Sequence, residues 1–181
     1  KNFDLTLDIR VAFDVDKPFG GVLVGFHQKE AGHFFKGYTT FNQEQGFVRL
    51  TNTGLTIASG TNIKNTIGLD NVNKEDVAID SPILRTADGR VTLNVVVIND
   101  TCNVTVKNTK TGDVLATHSE KLDPTVLATG YLSIGVMDSV YSFDSMTIVK
   151  LDDNGDDIPF STQLPYEIVE IQNSYSVVGL G

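Results

Sequence analysis

Apolar and polar residues alternate from the start of the chain. Phe3, Leu5, Leu7, Ile9, Val11 and Phe13 fall on one side of an extended segment, with Asp4, Thr6, Asp8 and Arg10 on the other. Successive side chains of a strand point to opposite faces, so this pattern predicts a half-buried strand with one wet face. "GGVLVGF" (20–26) is more continuously apolar. "FFKGYTTF" (34–41) and "GFVRLTN" (46–52) follow, separated by the polar, turn-like "NQEQ", and "GLTIASG" (54–60) is bounded by glycines. "RVTLNVVVIND", "CNVTVKN" and "VLATHS" read as a meander with turns at "NDT" and "NTKTGD", and "GYLSIGVM" and "VYSFDSMTIVK" close the set. Helical periodicity is not sustained anywhere. The best helix candidate, 73–78, would be one or two turns inside a long connection from Asp70 to Gly89. About ten short strands at this spacing predict an all-β fold, a two-sheet antiparallel β-sandwich.

Within 130–148, Leu132, Ile134 and Val136 are predicted core positions. Phe143, Met146 and Ile148 join them once a one-residue bulge shifts the register. Asp138 falls in the turn between, as a ligand-binding or turn-capping acid. The character changes after Leu151. "DDNGDDIPFSTQLP" is acidic and turn-rich with two prolines, which predicts a sandwich over 1–151 and a linker over 152–164. Residues 165–181 start a new strand pattern, either docking on the sandwich or opening a following module.

Composition narrows the partners. The 181 residues suffice for one domain with flanking sequence. With 23 acidic against 14 basic residues the net charge is −9, which disfavours nucleic acid and anionic membranes. No apolar run approaches the ~18 residues of a membrane span. Cys102 is the single cysteine, so no internal disulfide is expected. The first residue already lies in a strand pattern and no leader precedes it, as in an excised segment. Asn99 and Asn103 head glycosylation sequons that chance in an Asn- and Thr-rich stretch also explains.

Catalytic signatures are missing from the sequence. There is no nucleophile elbow and no phosphate-cradling glycine loop. His27, His33 and His118 lack the spacing of a helical zinc pair. Glycosidases need two carboxylates ~5–10 Å apart across the scissile bond. Asp4 and Asp8 share a strand face but read as solvated surface, and Glu167 and Glu170 are offset by an odd number and cannot share one. "DDNGDD" is oxygen-rich like a calcium loop, yet the sixth position counted from Asp152 is Asp157 where an EF-type loop needs glycine. A solvated acidic segment is the preferred reading, with no cofactor and a structural calcium as the alternative. Sugars pack their C–H faces on aromatic rings while nearby polar groups take the hydroxyls. Tryptophan is absent, which favours a small pocket over a long flat platform. Phe34, Tyr38 and Phe41 are interleaved with His33, Asn42, Glu44 and Arg49, core packing being the competing role for each aromatic.

"FDLTLDIRV", "GGVLVGF", "GYTTFNQEQGFVRL", "VTLNVVV", "CNVTV", "VLATHS" and "GYLSIGVMDSVYSFDSMTI", taken in order over Phe3 to Lys150, resemble the concanavalin A-like jelly rolls. Within these the resemblance is to the laminin G-like group that contains family 66 carbohydrate-binding modules of secreted bacterial glycoside hydrolases. It implies a jelly roll with a sugar pocket. Phe26 and His27 stand where the family usually has an arginine, and Met137 precedes Asp138 where many members have tryptophan, so fructan specificity does not carry over. Relatives also have one or two strands before "FDLTLDI", and the tail from Tyr166 resembles the start of a small immunoglobulin-like module. The expectation is a non-catalytic carbohydrate-binding module of an extracellular, secreted or cell-wall-attached glycoside hydrolase. A terminal sugar would stack on Tyr38 or Tyr141 and bond to Asn42, Glu44, Arg49 and Asp138. The alternatives are a catalytic sandwich hydrolase or lyase and a laminin G-like adhesion or spacer module.

Overall fold

The computed structural model describes residues 1–13, 21–30, 45–51, 54–59, 77–78, 89–137, 140–159, 167–171 and 174–178. In chain order its strands are β1 (Asn2–Phe13), β2 (Gly21–Gln28), β3 (Gly46–Thr51), β4 (Gly54–Ser59), β5 (Val77–Ala78), β6 (Arg90–Ile98) and β7 (Thr101–Asn108). They continue with β8 (Val114–Lys121), β9 (Tyr131–Met137), β10 (Val140–Leu151), β11 (Asp157–Ile158), β12 (Glu167–Ile171) and β13 (Ser174–Val178). The described residues form no helix. One sheet runs β11-β10-β1-β6-β7-β8 and the other β5-β4-β3-β2-β9, antiparallel throughout, while β12 and β13 pair as a separate hairpin. The expected all-β sandwich is the fold.

Alternation in β1 works as the sequence predicts over Phe3 to Ile9, the side chains of Val11 and Phe13 lying outside the described residues, and β6 alternates likewise. Leu5, Leu7, Ile9, Val91, Leu93, Val95 and Val97 point inward and meet Val22, Val24, Phe26, Val48, Leu50, Leu55, Ile57, Leu132 and Ile134 of the second sheet in one buried core. The other face of the six-stranded sheet is a polar ladder. The Asn94 amide donates to Asp4 (2.6 Å) and Thr6 (2.9 Å), and the Thr92 and Ser145 hydroxyls each donate to Asp8 at 2.6 Å. These bonds occupy the two carboxylates that share the β1 face. Glycine at 46 admits the Phe26 ring, because a Cβ there would overlap it.

The one-residue bulge lies at Asp144. Asp8 pairs with Ser145 but Ile9 with Phe143, which leaves Asp144 unopposed and turns Phe143, Met146 and Ile148 to the same side as Ile9, Leu7 and Leu5. Met146 nevertheless is 40% exposed, where the sequence predicts core. Its strand faces inward, but the second sheet ends at β9 and leaves that stretch of β10 uncovered.

Two further expectations change. Val77 and Ala78, at the end of the helix candidate, are a strand paired with Leu55 and Gly54; cross-strand bonding to β4 overrides a weak local preference. The strand expected over 34–41 lies outside the described residues. The acidic segment after Leu151 turns back: Asp152 N donates to the Asp156 carbonyl (2.9 Å), and Asp157–Ile158 pair with Leu151 and Lys150. Asp157–Ile158 thus form the edge strand β11 of the six-stranded sheet, with 152–156 as the turn that leads to it. In the tail, β13 lies against β9 without entering its ladder.

Candidate functional site

Each strand of the second sheet alternates, yet both of its faces are buried. On the side away from the core lie Leu23 and Gly25 of β2, Phe47 and Arg49 of β3, Thr56 and Ala58 of β4, and Ser133 and Gly135 of β9, all buried. A sheet buried on both faces explains why "GVLVGF" is continuously apolar. It does not explain the polar residues. An arginine and several hydroxyls and amides are removed from water on this face, at a cost unless each finds a partner.

The polar set begins at an irregularity in β2. His27 has a left-handed backbone (φ 53°), and the β2–β9 register slips between Gly25 and Gln28. Histidine is among the few non-glycine residues that visit this region readily. The bulge places Gln28 among the residues of the second face. There the Ser133 hydroxyl donates to Gln28 Oε1, and Gln28 Nε2 donates to Gln45 Oε1 at 2.8 Å. All three side chains are 0% exposed. The relay then stops, since Gln45 Nε2 is buried with no acceptor among the described residues. Reversing both amides does not mend this, because it leaves a carbonyl oxygen without a donor at the same place. Along the same strand, Arg49 Nη2 lies 3.5 Å from Thr56 Oγ1. Gly130 abuts the bulge so closely that a Cβ would meet the His27 carbonyl carbon at 2.5 Å and Gln28 O at 2.6 Å.

His27 is buried against Phe26, with ring centroids 5.5 Å apart, and its Nε2 is 2.7 Å from the Lys1 carbonyl oxygen. Burial holds its pKa below the ordinary histidine value, and the bond to the Lys1 carbonyl opposes that shift. Burial likewise pushes the Cys102 thiol up, well out of the reactive range.

The expected site residues separate. Arg49 is on the second face, whereas Tyr141 pairs with Val11 in the other sheet and packs, partly buried, against the core between the sheets. The structure therefore does not bring these two together. Tyr38, Asn42, Glu44 and Asp138 lie outside the described residues, although Asn42 and Glu44 just precede Gln45 in sequence. Gln28, Gln45 and Ser133 escaped the sequence reading. "NQEQ" looks like a turn and Ser133 like a strand residue facing water; the signal was the unbroken apolar β2, which requires its neighbours to be buried on both sides.

The acidic turn is occupied by its own chain. Asp152 Oδ1 accepts the backbone N–H groups of Asn154 (2.8 Å) and Asp156 (3.0 Å), and these bonds hold its carboxyl below the usual range. Asp153 pairs with Lys1 and accepts from the Asn2 amide (3.1 Å). Among the described residues no group of three or more His, Cys, Asp or Glu side chains could hold a metal ion. Nor is any helix among them long and apolar enough to cross a membrane.

No family model matches the chain, and no curated protein matches it. Among solved structures it is similar to the CBM2 module of the evolved Dit of Lactobacillus casei BL23 phage J-1, at 11% identity and a TM-score of 0.33. The likeness covers 83% of this chain, which spans 63% of that one.

Proposed function

We propose that the chain is a non-catalytic carbohydrate-binding module that holds a terminal sugar at the end of the five-stranded sheet, beside Gln45 where the chain enters β3. In this reading it directs an attached extracellular bacterial glycoside hydrolase to its polysaccharide. The observation that carries the reading is the Ser133–Gln28–Gln45 relay, which ends on a buried polar atom with no partner among the described residues. Such an atom costs about 1–3 kcal/mol. A fold retains that penalty readily where a ligand relieves it. A sugar hydroxyl both donates and accepts, so it meets the relay in either amide orientation. Tethered binding raises the local concentration of a linked catalytic domain near its polymer without any chemistry of its own.

Affinity electrophoresis through gels containing neutral polysaccharides, followed by a glycan array, tests this. Wild-type protein is expected to be retarded by at least one neutral polymer. Gln45→Leu should weaken that binding by about tenfold or more while costing less stability than loss of the middle link, Gln28, because it exchanges one unpaired amide for another. Absence of glycan binding, or unchanged binding in Gln45→Leu, overturns the assignment. An adhesion or spacer module would give the first result, and a hydrolase or lyase would consume the glycan.

A further inference from the structure

On the β9–β10 side the two sheets do not close over one another. A cleft of about 520 Å³, counting space open to solvent, lies there, lined by Phe3, Phe26, His27, Leu132 and Ile148, with Lys1, Tyr131 and Lys150 among its other walls. Phe3 and Phe26 meet edge to face at 5.9 Å and make an apolar floor. Three observations give this cleft a chemistry. Tyr131 is 39% exposed and offers an aromatic surface. Lys150 pairs with Phe3 in the β1–β10 ladder and so points inward with the core residues, yet its side chain is exposed. No carboxylate pairs with it among the described residues, whereas the Lys1 side-chain ammonium pairs with Asp153. The cleft thus holds, in a chain of net charge −9, an ammonium that no carboxylate among the described residues neutralises, beside an exposed ring and an apolar floor.

We propose that this cleft is a second glycan subsite, specific for a sugar that carries a carboxylate. The pyranose lies with its C–H face on Tyr131 and Ile148, and its carboxylate reaches the Lys150 ammonium. Ring packing supplies attraction that any sugar shares, and the ion pair supplies the discrimination. The exposed Met146, further along the uncovered stretch of β10, extends the apolar surface to a neighbouring unit. This inference rests on the carbohydrate reading; it uses none of Ser133, Gln28 or Gln45, although Tyr131 is the β9 neighbour of Gln28, so Lys150 is the residue that separates the two sites.

Titration calorimetry with oligogalacturonate and with its methyl ester tests it, because the two differ in charge and share the ring. Wild-type protein is expected to bind the acid about tenfold more tightly than the ester, and the gap should shrink in about 0.5 M salt. Lys150→Met should abolish the gap and leave binding of neutral glycans unchanged, and Tyr131→Ala should weaken acid and ester alike. Both side chains are exposed, and an unaltered unfolding midpoint confirms that the variants fold. Equal affinity for acid and ester, or a gap that survives Lys150→Met, overturns the subsite while neutral binding through Gln45 still stands. A chain that binds no glycan of either kind removes the carbohydrate reading and this subsite together.

Discussion

Gln28 and Gln45 are the same residue type in one hydrogen-bond chain, and their removal should have unequal consequences. Gln28 is the middle link, bonded to both Ser133 and Gln45. Gln28→Leu takes one bond from the buried Ser133 hydroxyl and the donor from the buried Gln45 amide, and is expected to destabilise the fold by about 1–3 kcal/mol. Gln45→Leu removes one unpaired amide but takes the acceptor from Gln28 Nε2, so the number of unpaired buried atoms stays the same and its cost is the smaller of the two. Urea unfolding of the two variants reads the difference; equal losses would refute the relay. His27 adds a pH term. Its folded pKa is lowered by burial, so below about 6.5, the ordinary value, the unfolded chain binds the proton that the folded chain resists. Stability is full above that pH and declines as pH falls toward the folded pKa. His27→Asn keeps a residue that tolerates the left-handed backbone, and its urea midpoint should change less than wild type's between about pH 7.5 and 5.5.

At the scale of elements, irregularities decide more than regular pairing does. The Asp144 bulge and the His27 bulge each turn one strand so that a different set of side chains faces a layer. The turn after β10 is held by Asp152, whose carboxylate collects the N–H groups of Asn154 and Asp156. Backbone bonding depresses its pKa, and bonding to Lys1 depresses that of Asp153. These groups contribute stability above the ordinary aspartate value of about 3.9, and it is lost as pH falls through their folded values. This acid window lies below that of His27. Asp152→Ala should lower the thermal midpoint at neutral pH and differ little from wild type near pH 2. A difference that persists there would mean that the carboxylate charge is not what holds the turn. The alternation of "DLTLDIRV" and the need for a bulge near Phe143 were legible in the sequence. The burial of Ser133 and Gln45 was not, because an isolated strand does not reveal how many layers cover it.

Across the whole molecule, β1 is the strand on which the six-stranded sheet depends. It lies between β10 and β6, with Asn2 opposite Leu151 and Phe3 opposite Val97. Deleting residues 2–10 would expose both neighbours as edges and remove Leu5, Leu7 and Ile9 from the core. The truncated chain is expected to lack a cooperative thermal transition, and a sharp one would show that the sheet closes without β1. Because its partners lie far along the chain, folding waits on long-range pairing, so rates should fall in the millisecond-to-second range typical of sandwiches. The sequence alone determined the all-β class, the inward and outward residues of β1 and β6, and the bulge, because side-chain period is a local property of an extended backbone. Only the tertiary structure decided that the other sheet is buried on both faces, that Arg49 and Tyr141 part company, and that Lys150 and Tyr131 flank one cleft. Those outcomes depend on which layers cover which strands, and no stretch of chain carries that by itself.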